Sequence, residues 1–361
     1  MLSRKSKFHS FEPKYKLYNK TLTPIMYYNE KLIEAAATGN TEAVRQLLAT
    51  GADIHTDDPN DEDGFRGAPL RVAASAGHTD IVILLLHSGA DIHAPDGEGP
   101  DAALRNAAYG GHIETVKVLL DNHAKLYTGD ENSTGCVLCA AASNGHIHVV
   151  RLLLGFAPWL AVSQTYALGR AAGNGHIDTV AYLLTNVMNN DEVVGLALVD
   201  AATYGQTQII ELLLSKKSEI DENNDAALLA AAGAGHTETV MYLLDRVGNI
   251  NAPDVFGVPG AALRESAANG RTATVKCLVA QGADIHAADD NGPEAALHAA
   301  YNNRHPETVA ELLSNYTTDE LRAILATAEE PMLMEIIRSE YRRRLGNAVS
   351  EALRSQPDIV I

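Results

Sequence analysis

The chain has 361 residues, of which 46 are Asp or Glu and 28 are Lys or Arg, giving a formal charge of −18. Hydrophobic residues make up 46% of the sequence and aromatic residues only 5%, so the apolar content is mostly aliphatic and argues against intrinsic disorder. The negative charge argues against nucleic-acid binding, because the phosphates would be repelled, and no apolar stretch approaches the ~18 residues of a membrane span.

The first 22 residues are predicted to form a basic tail. They contain six Lys or Arg residues against the single acid Glu12. No apolar segment follows these charges, so the tail does not have the form of a secretory signal. Three cysteines in the whole chain do not make a disulfide framework, which fits a reducing compartment. The protein is therefore expected to be soluble and cytoplasmic.

One pattern recurs nine times between residues 23 and 314. A leucine is followed by small residues, usually paired alanines, then by a glycine seven positions after the leucine and an aliphatic residue five positions later. Each copy is predicted to form two antiparallel helices, which cannot bury their apolar faces alone and must stack as a solenoid. The register positions are Gly39, Gly77, Gly111, Gly145, Gly175, Gly205, Gly235 and Gly270, with Arg304 in the ninth copy.

The fullest copies read AASAGHTDIVILLLHSGADIHAPDG at residues 73–97 and SAANGRTATVKCLVAQGADIHAADDNG at residues 266–292. Over about residues 24–337, the sequence resembles the ankyrin-repeat family. The resemblance implies an all-α solenoid of helix-turn-helix layers, with β-hairpin fingers between successive repeats. It also implies a non-enzymatic scaffold that binds a partner protein. The family's Thr-Pro-Leu-His tetrapeptide is largely absent, since residues 68–71 read Ala-Pro-Leu-Arg, and stability is expected to depend more on packing.

The spacing of the register glycines predicts where fingers are present. Most copies span 34–38 residues, whereas the three central copies, between Gly145 and Gly235, span 30. These copies are too short for a full finger. Fingers are therefore expected to be reduced in the middle of the array, leaving a locally open edge.

A degenerate tenth copy is predicted at residues 315–344, where it would cap the C-terminal end. Thr317 and Glu320 have the spacing of a capping box. Residues 345–361 are predicted to add a short helix and a tail. The copy is recognised from Leu321, Ala328, Leu333, Ile336 and Ile337.

The Ala-Ala-Leu variant of the repeat, in an array without a partner domain, also resembles ankyrin proteins that intracellular bacteria secrete into host cells. This resemblance implies an effector that acts on a host protein in the host cytosol. A translocation signal would then lie in residues 345–361.

The resemblance places the partner-binding surface in a concave groove, near the end of each first helix. Arg170 and Asp200 occupy one helix position in adjacent copies and are expected to pair with each other or with a ligand. Trp159, the single tryptophan, either fills the junction between outer helices or is an exposed anchor. The groove candidates are Tyr109, Asn144, Arg170, Asn174, Asp200, Tyr204, Asn269 and Asn302.

Acidic residues cluster in the predicted fingers, which stacking places along one edge. Two interpretations remain open: these carboxylates only solvate the turns, or they steer a basic segment of a partner protein. The array itself is expected to be a monomer that binds neither nucleic acid nor membrane. The finger candidates are Asp61, Asp63, Asp96, Glu98, Asp289 and Asp290.

Fourteen histidines raise the question of a metal site. Layers stack roughly 10 Å apart, whereas zinc ligands lie about 2 Å from a shared ion. The five histidines that follow a register glycine are therefore expected to hydrogen-bond to the backbone of a neighbouring layer. They are His78, His112, His146, His176 and His236.

Cys136 and Cys139 form a CxxC pair that is predicted on the first turn of a helix. A thiol-redox or other enzymatic role would use a cleft near them, because a helix N-terminus lowers the pKa of a thiol. The alternative is a pair of small buried residues that fill a pocket. No Gly-rich phosphate loop, HExxH or G-x-S-x-G motif is present. We therefore expect no catalytic residue, no metal and no cofactor.

Overall fold

A computed structural model describes the chain between residues 24 and 355, with gaps. Within the described residues the chain forms twenty α-helices and no strand, and an isolated antiparallel bridge joins Asp96 to Gly99. The predicted basic tail lies outside them. The described ranges are 24–59, 64–97, 99–126, 136–157, 161–186, 191–216, 222–246, 249–254, 256–289, 293–327 and 331–355.

The helices alternate between two layers. The odd-numbered, inner helices are α1 (Pro24–Thr38), α3 (Ala68–Ser75), α5 (Ala102–Tyr109), α7 (Val137–Ser143), α9 (Ala161–Gly173), α11 (Asp191–Thr203), α13 (Glu222–Ala234), α15 (Ala261–Ala268), α17 (Ala295–Asn302) and α19 (Thr318–Thr327). The even-numbered, outer helices are α2 (Thr41–Ala49), α4 (Thr79–His87), α6 (Ile113–Asp121), α8 (Ile147–Phe156), α10 (Ile177–Asn186), α12 (Thr207–Leu214), α14 (Thr237–Arg246), α16 (Thr272–Ala280), α18 (Pro306–Ser314) and α20 (Pro331–Ser355).

From α1 to α17, each inner helix packs on the next inner helix and on the outer helix that follows it. The predicted all-α solenoid is confirmed. None of the described helices is long and apolar enough to cross a membrane.

The register leucine explains why these short helices are stable together. It is buried in all nine copies, and the small residue three positions later is buried beside it, alanine in eight copies and Ser266 in the other, which lets neighbouring inner helices approach closely. An isolated helix of eight or nine residues would be marginal in water, so the stability comes from this packing. The leucines are Leu32, Leu70, Leu104, Leu138, Leu168, Leu198, Leu228, Leu263 and Leu297.

A ladder of hydrogen bonds links successive repeats. From the second copy to the ninth, the residue after the register position donates a side-chain N–H to a carbonyl oxygen of the preceding repeat: His146 Nε2 donates to the Tyr109 carbonyl over 2.9 Å, for example. Gln206 and Arg271 make the bond where the histidine is replaced. The role predicted for the histidines is therefore confirmed. The other members are His78, His112, His176, His236 and His305.

The ladder also explains the register glycine. Gly111 has a φ of +75°, and a Cβ atom there would lie 2.5 Å from Nδ1 of His146 in the next repeat. Both the backbone angle and the ring therefore require glycine. Arg304 replaces it in the ninth copy with a φ of +63°, and the tenth copy has Glu329, not histidine, at the ring position.

The three central inner helices are longer than the inner helices of the finger-bearing repeats on either side. α9, α11 and α13 have 13 residues each, whereas α5 and α15 have eight. In the 30-residue copies, the segment that would form a finger extends the inner helix at its N-terminus instead. The edge expected to be open is therefore occupied by helix. The described fingers elsewhere are turns, and the hairpin strands expected from the resemblance do not form within the described residues.

The C-terminal cap begins with the predicted capping box. The Glu320 backbone N–H donates to Thr317 Oγ1, and the Thr317 N–H donates to a Glu320 carboxylate oxygen over 2.6 Å. Leu321, Leu333 and Ile337 are buried as in a regular copy, whereas Ile336 is exposed.

The final helix crosses the predicted boundary at residue 345. α20 runs without a break from Pro331 to Ser355, although it contains Gly346. A single glycine costs only about 1 kcal/mol within a helix, and the surrounding Arg, Ala, Leu and Glu residues favour helix. The separate short helix expected after residue 344 is thus a continuation of the cap.

Candidate functional site

The extended inner helices present a continuous surface in the middle of the array. On each, three residues at i, i+4 and i+8 share one face, because four residues make about one helical turn. We call this surface the central patch. It consists of Tyr166 and Arg170 on α9 with Asn174 directly after that helix, of Leu196 and Asp200 on α11 with Tyr204 directly after that helix, and of Ala226, Ala230 and Ala234 on α13.

The patch has a ridge beside a low floor. Tyr204 is 61% exposed, Leu196 51% and Tyr166 38%. On α13 the corresponding positions are all alanine, so the surface drops beyond the ridge. Exposed large apolar residues that adjoin one another, with a shallow depression alongside, are typical of a surface that another molecule covers.

Asp200 lies between the two apolar residues of the ridge. One carboxylate oxygen rests against α9, where a Cβ atom built on Gly169 would lie 2.3 Å away. This burial raises the pKa of Asp200, and the nearby charge of Arg170 acts in the opposite direction. The residue remains exposed overall, and no ion pair joins it to Arg170 in the described structure. The direct Arg170–Asp200 pair proposed from the sequence is therefore not formed.

The predicted asparagines mostly serve their own helices. Asn174 donates to the Arg170 carbonyl over 2.9 Å, Asn269 donates to the Glu265 carbonyl over 2.9 Å, and Asn144 donates to the Ala140 carbonyl over 3.4 Å. The last carbonyls of a helix lack intrahelical partners, so an amide at this position satisfies them. In the ninth copy Asn303 makes this bond, and Asn302 is exposed one position earlier.

The two predicted groove tyrosines are not brought together. Tyr109 lies at the end of α5, three repeats before Tyr204, and is half-buried. Its carbonyl oxygen is held by His146. Tyr204 therefore belongs to the central patch, and Tyr109 does not.

A comparison with protein families bears on what this surface does. A family model described as ankyrin repeats (3 copies) matches residues 22–96, 70–160, 104–194 and 168–254. These matches cover 233 of the 361 residues. The protein belongs to the ankyrin-repeat family. No curated protein matches the chain. Ankyrin repeats are general protein–protein interaction modules and typically non-enzymatic scaffolds.

The fingers of this ankyrin array hold their charges internally. Asp96 forms an ion pair with the buried Arg105 of α5, and Asp254 forms an ion pair with Arg264 of α15. Asp96 therefore pairs within its own finger, and its role in steering a basic partner segment stays a prediction. Asp289 is half-buried. Four other predicted finger residues, Asp61, Asp63, Glu98 and Asp290, lie outside the described residues.

Trp159 also lies outside the described residues. Phe156, at the end of α8, is 58% exposed.

Cys136 and Cys139 are only 1% and 4% exposed. The Cys139 N–H donates to Cys136 Sγ over 3.3 Å, so the Cys136 sulfur caps the start of α7. This is the geometry of buried structural residues. Among the described residues, no group of three or more His, Cys, Asp or Glu side chains is arranged to hold a metal ion.

Tyr166 and Leu196 were not predicted. Both lie nine positions before a register glycine, where the inner helices of finger-bearing repeats begin with a buried alanine, as at Ala68 and Ala102. The 30-residue spacing signalled that the finger is missing, but not that the residue at this position becomes exposed.

Proposed function

We propose that the protein is a non-enzymatic scaffold that holds a segment of a partner protein on the central patch. The observation that supports this is the exposure of Tyr166, Leu196 and Tyr204 on two adjacent helices. Truncating a few such residues usually removes most of the affinity at an interface, and aromatic side chains are the most frequent among them. The alanine floor of α13 lets a helix or an extended peptide approach the backbone closely.

The charges around the floor favour a partner segment with basic residues. Glu265 leans over α13, so that a Cβ atom on Gly233 would lie 2.8 Å from Glu265 Cγ, whereas the Asp200 carboxylate leans the other way, onto α9. A basic side chain of the partner beside either carboxylate would gain from it. Arg170 lies farther away on α9 and suits an acidic or amide group of the same partner.

The raised pKa of Asp200 supports a binding role. An uncharged residue would avoid the cost of partial burial, so a carboxylate that lacks an ion pair is expected to serve a ligand.

The test is a quantitative capture of partners from a cell extract. We expect the double variant Leu196→Ala/Tyr204→Ala to capture at least about tenfold less partner than the wild type, which is the effect of removing one strong anchor residue. The control is Phe256→Ala, which removes an aromatic side chain that is 88% exposed on a finger away from the patch. Equal recovery by the two folded variants would contradict the proposal.

We further propose that the scaffold acts as a cytoplasmic monomer, and as a secreted effector in the host cytosol. The resemblance of the repeat variant to secreted bacterial ankyrin proteins supports the effector role. A reporter fused to the full chain should enter host cells, and a reporter that stays in the bacterium counts against it. Sedimentation should give one species near 38.5 kDa.

A further inference from the structure

The His286 ring lies between two carboxylates. Its Nδ1 is 3.2 Å from Oε1 of Glu294, and its Nε2 is 3.4 Å from Oε1 of Glu320. A neutral imidazole has one N–H and one lone pair, whereas the imidazolium ion has two N–H groups. Since ionised carboxylates only accept hydrogen bonds, both contacts are satisfied only when the ring carries two protons.

The three side chains belong to different parts of the array. His286 is in the finger that leads into the ninth repeat, Glu294 is the N-cap residue of α17, and Glu320 is in the first turn of α19. The ring thus joins the last regular repeat to the first helix of the cap. Arg344 of α20 makes a further polar connection between cap and array by donating to the Leu313 carbonyl, and it also donates to the Tyr316 carbonyl.

Within the described part of the chain, four titratable groups face the ring: Glu294, Glu320, Asp284 and Tyr316. The Asp284 carboxylate accepts the backbone N–H of His286 over 2.9 Å. The Tyr316 ring meets the imidazole edge to face at 5.3 Å, and its hydroxyl donates to Glu294. Burial raises the pKa of Tyr316, so the hydroxyl keeps its proton.

Glu320 stays ionised in mild acid. The Thr317 backbone N–H lowers the pKa of Glu320 most, and the Thr317 hydroxyl lowers it further. Histidine is the side chain whose ordinary titration falls between about pH 5 and pH 8.

We propose that protonation of His286 fastens the C-terminal cap to the ninth repeat, so that the cap is held more tightly in mildly acidic than in neutral solution. The direction of this pH dependence follows from the hydrogen-bond partners that the ring gains on protonation. The added stability of the cap is present when the ring is charged and is lost as the pH rises. A second finger histidine, His93, shows the contrast. It contacts one carboxylate, Asp101, through Nδ1, and a neutral ring satisfies that single bond.

The experiment is hydrogen exchange of the full chain at about pH 5.5 and about pH 7.5, corrected for the intrinsic rate. The protection factors of α19 amides are expected to be about two- to fivefold higher at the lower pH, the effect of a half-exposed ion pair. His286→Gln should abolish this rise, and His93→Gln should retain it.

Glu320→Gln is the second test variant. Glutamine preserves the capping box but removes the charge that faces Nε2, so the rise should be abolished here as well. The proposal is overturned if the wild type shows no rise, or if either His286→Gln or Glu320→Gln shows the full rise.

Discussion

Threonine hydroxyls meet in pairs where repeats join. The Oγ1 atoms of Thr79 and Thr115 lie 2.8 Å apart. At the junction of the fourth and fifth repeats, Ile147 takes the first position, and the buried Oγ1 of Thr179 has no hydrogen-bond partner. A buried hydroxyl without a partner costs free energy. The other pairs are Thr207–Thr239, Thr237–Thr274 and Thr272–Thr308.

Replacing Thr179 with valine should therefore stabilise the protein. We expect Thr179→Val to raise the free energy of unfolding by about 1 kcal/mol, because a methyl group of similar size replaces an unsatisfied hydroxyl. The matched variant Thr115→Val breaks an existing pair and should lower it by about the same amount. Urea denaturation followed by circular dichroism measures both. If the free energy of unfolding changes in the same direction in both variants, the missing hydrogen-bond partner of Thr179 is unimportant.

At the scale of elements, α20 is fixed to the array by one of two neighbouring arginines. Arg343 and Arg344 both donate hydrogen bonds to the Glu340 carboxylate. These bonds lower the pKa of Glu340 to about 2, and the bond from Arg343 has the larger effect. Only Arg344 also reaches the Leu313 carbonyl, over 2.6 Å, at the end of α18. The guanidinium therefore supplies donors to α18 that the end of that helix lacks.

The two arginines should differ when replaced by lysine. Arg344→Lys keeps the charge but cannot span Glu340 and two carbonyls, so it should weaken the docking of α20 by about 1 kcal/mol. Arg343→Lys should change little, since an exposed pair contributes at most about 1 kcal/mol and lysine can still make it. Exchange rates of α20 amides report the docking. Similar rates in both variants would contradict the role given to Arg344.

Local patterns predicted elements well, and contacts between elements less well. The capping box was predictable because Thr317 and Glu320 are three residues apart. The pairing of Asp96 with Arg105 was not, since nothing in the sequence shows that the finger folds back onto the start of α5. The length of α9 and α11 was likewise missed, because the lost finger gave no sign of what replaced it.

For the whole molecule, the 30- to 38-residue period was sufficient to predict the solenoid, since stacking is the way that such copies bury their leucines. The central patch could not be predicted as a unit. Its ridge depends on the residue nine positions before the register glycine, which is a buried alanine at Ala68 and Ala102 and an exposed side chain at Tyr166 and Leu196.

His146 of the histidine ladder gives the array a response to acid opposite to that proposed for its cap. Burial lowers the pKa of His146, the bond to the Tyr109 carbonyl raises it, and the charges of His112 and His176 lower it further. A lowered pKa means that the folded state favours the neutral ring. This stability is present above the ordinary pKa and is lost as the pH falls below it.

His146→Gln should reduce this sensitivity while keeping the ladder, because Gln206 already makes the same bond in another repeat. The decrease in Tm between about pH 7.5 and about pH 5 should be smaller in the variant than in the wild type. His148→Gln is the control, since His148 is exposed on the same helix. If His148→Gln makes the decrease in Tm smaller by as much as His146→Gln does, His146 of the ladder is not responsible for the acid sensitivity.

The replacement of glycine by Arg304 limits how the array could have grown. Up to the eighth copy, duplication of a repeat places each new histidine ring over a glycine, so the array can be lengthened there without collision. A regular copy inserted after the ninth would place its ring against the Cβ atom of Arg304. Gain or loss of repeats is therefore easiest in the interior, and the junction with the cap is an end point that duplication cannot cross unless residue 304 also changes.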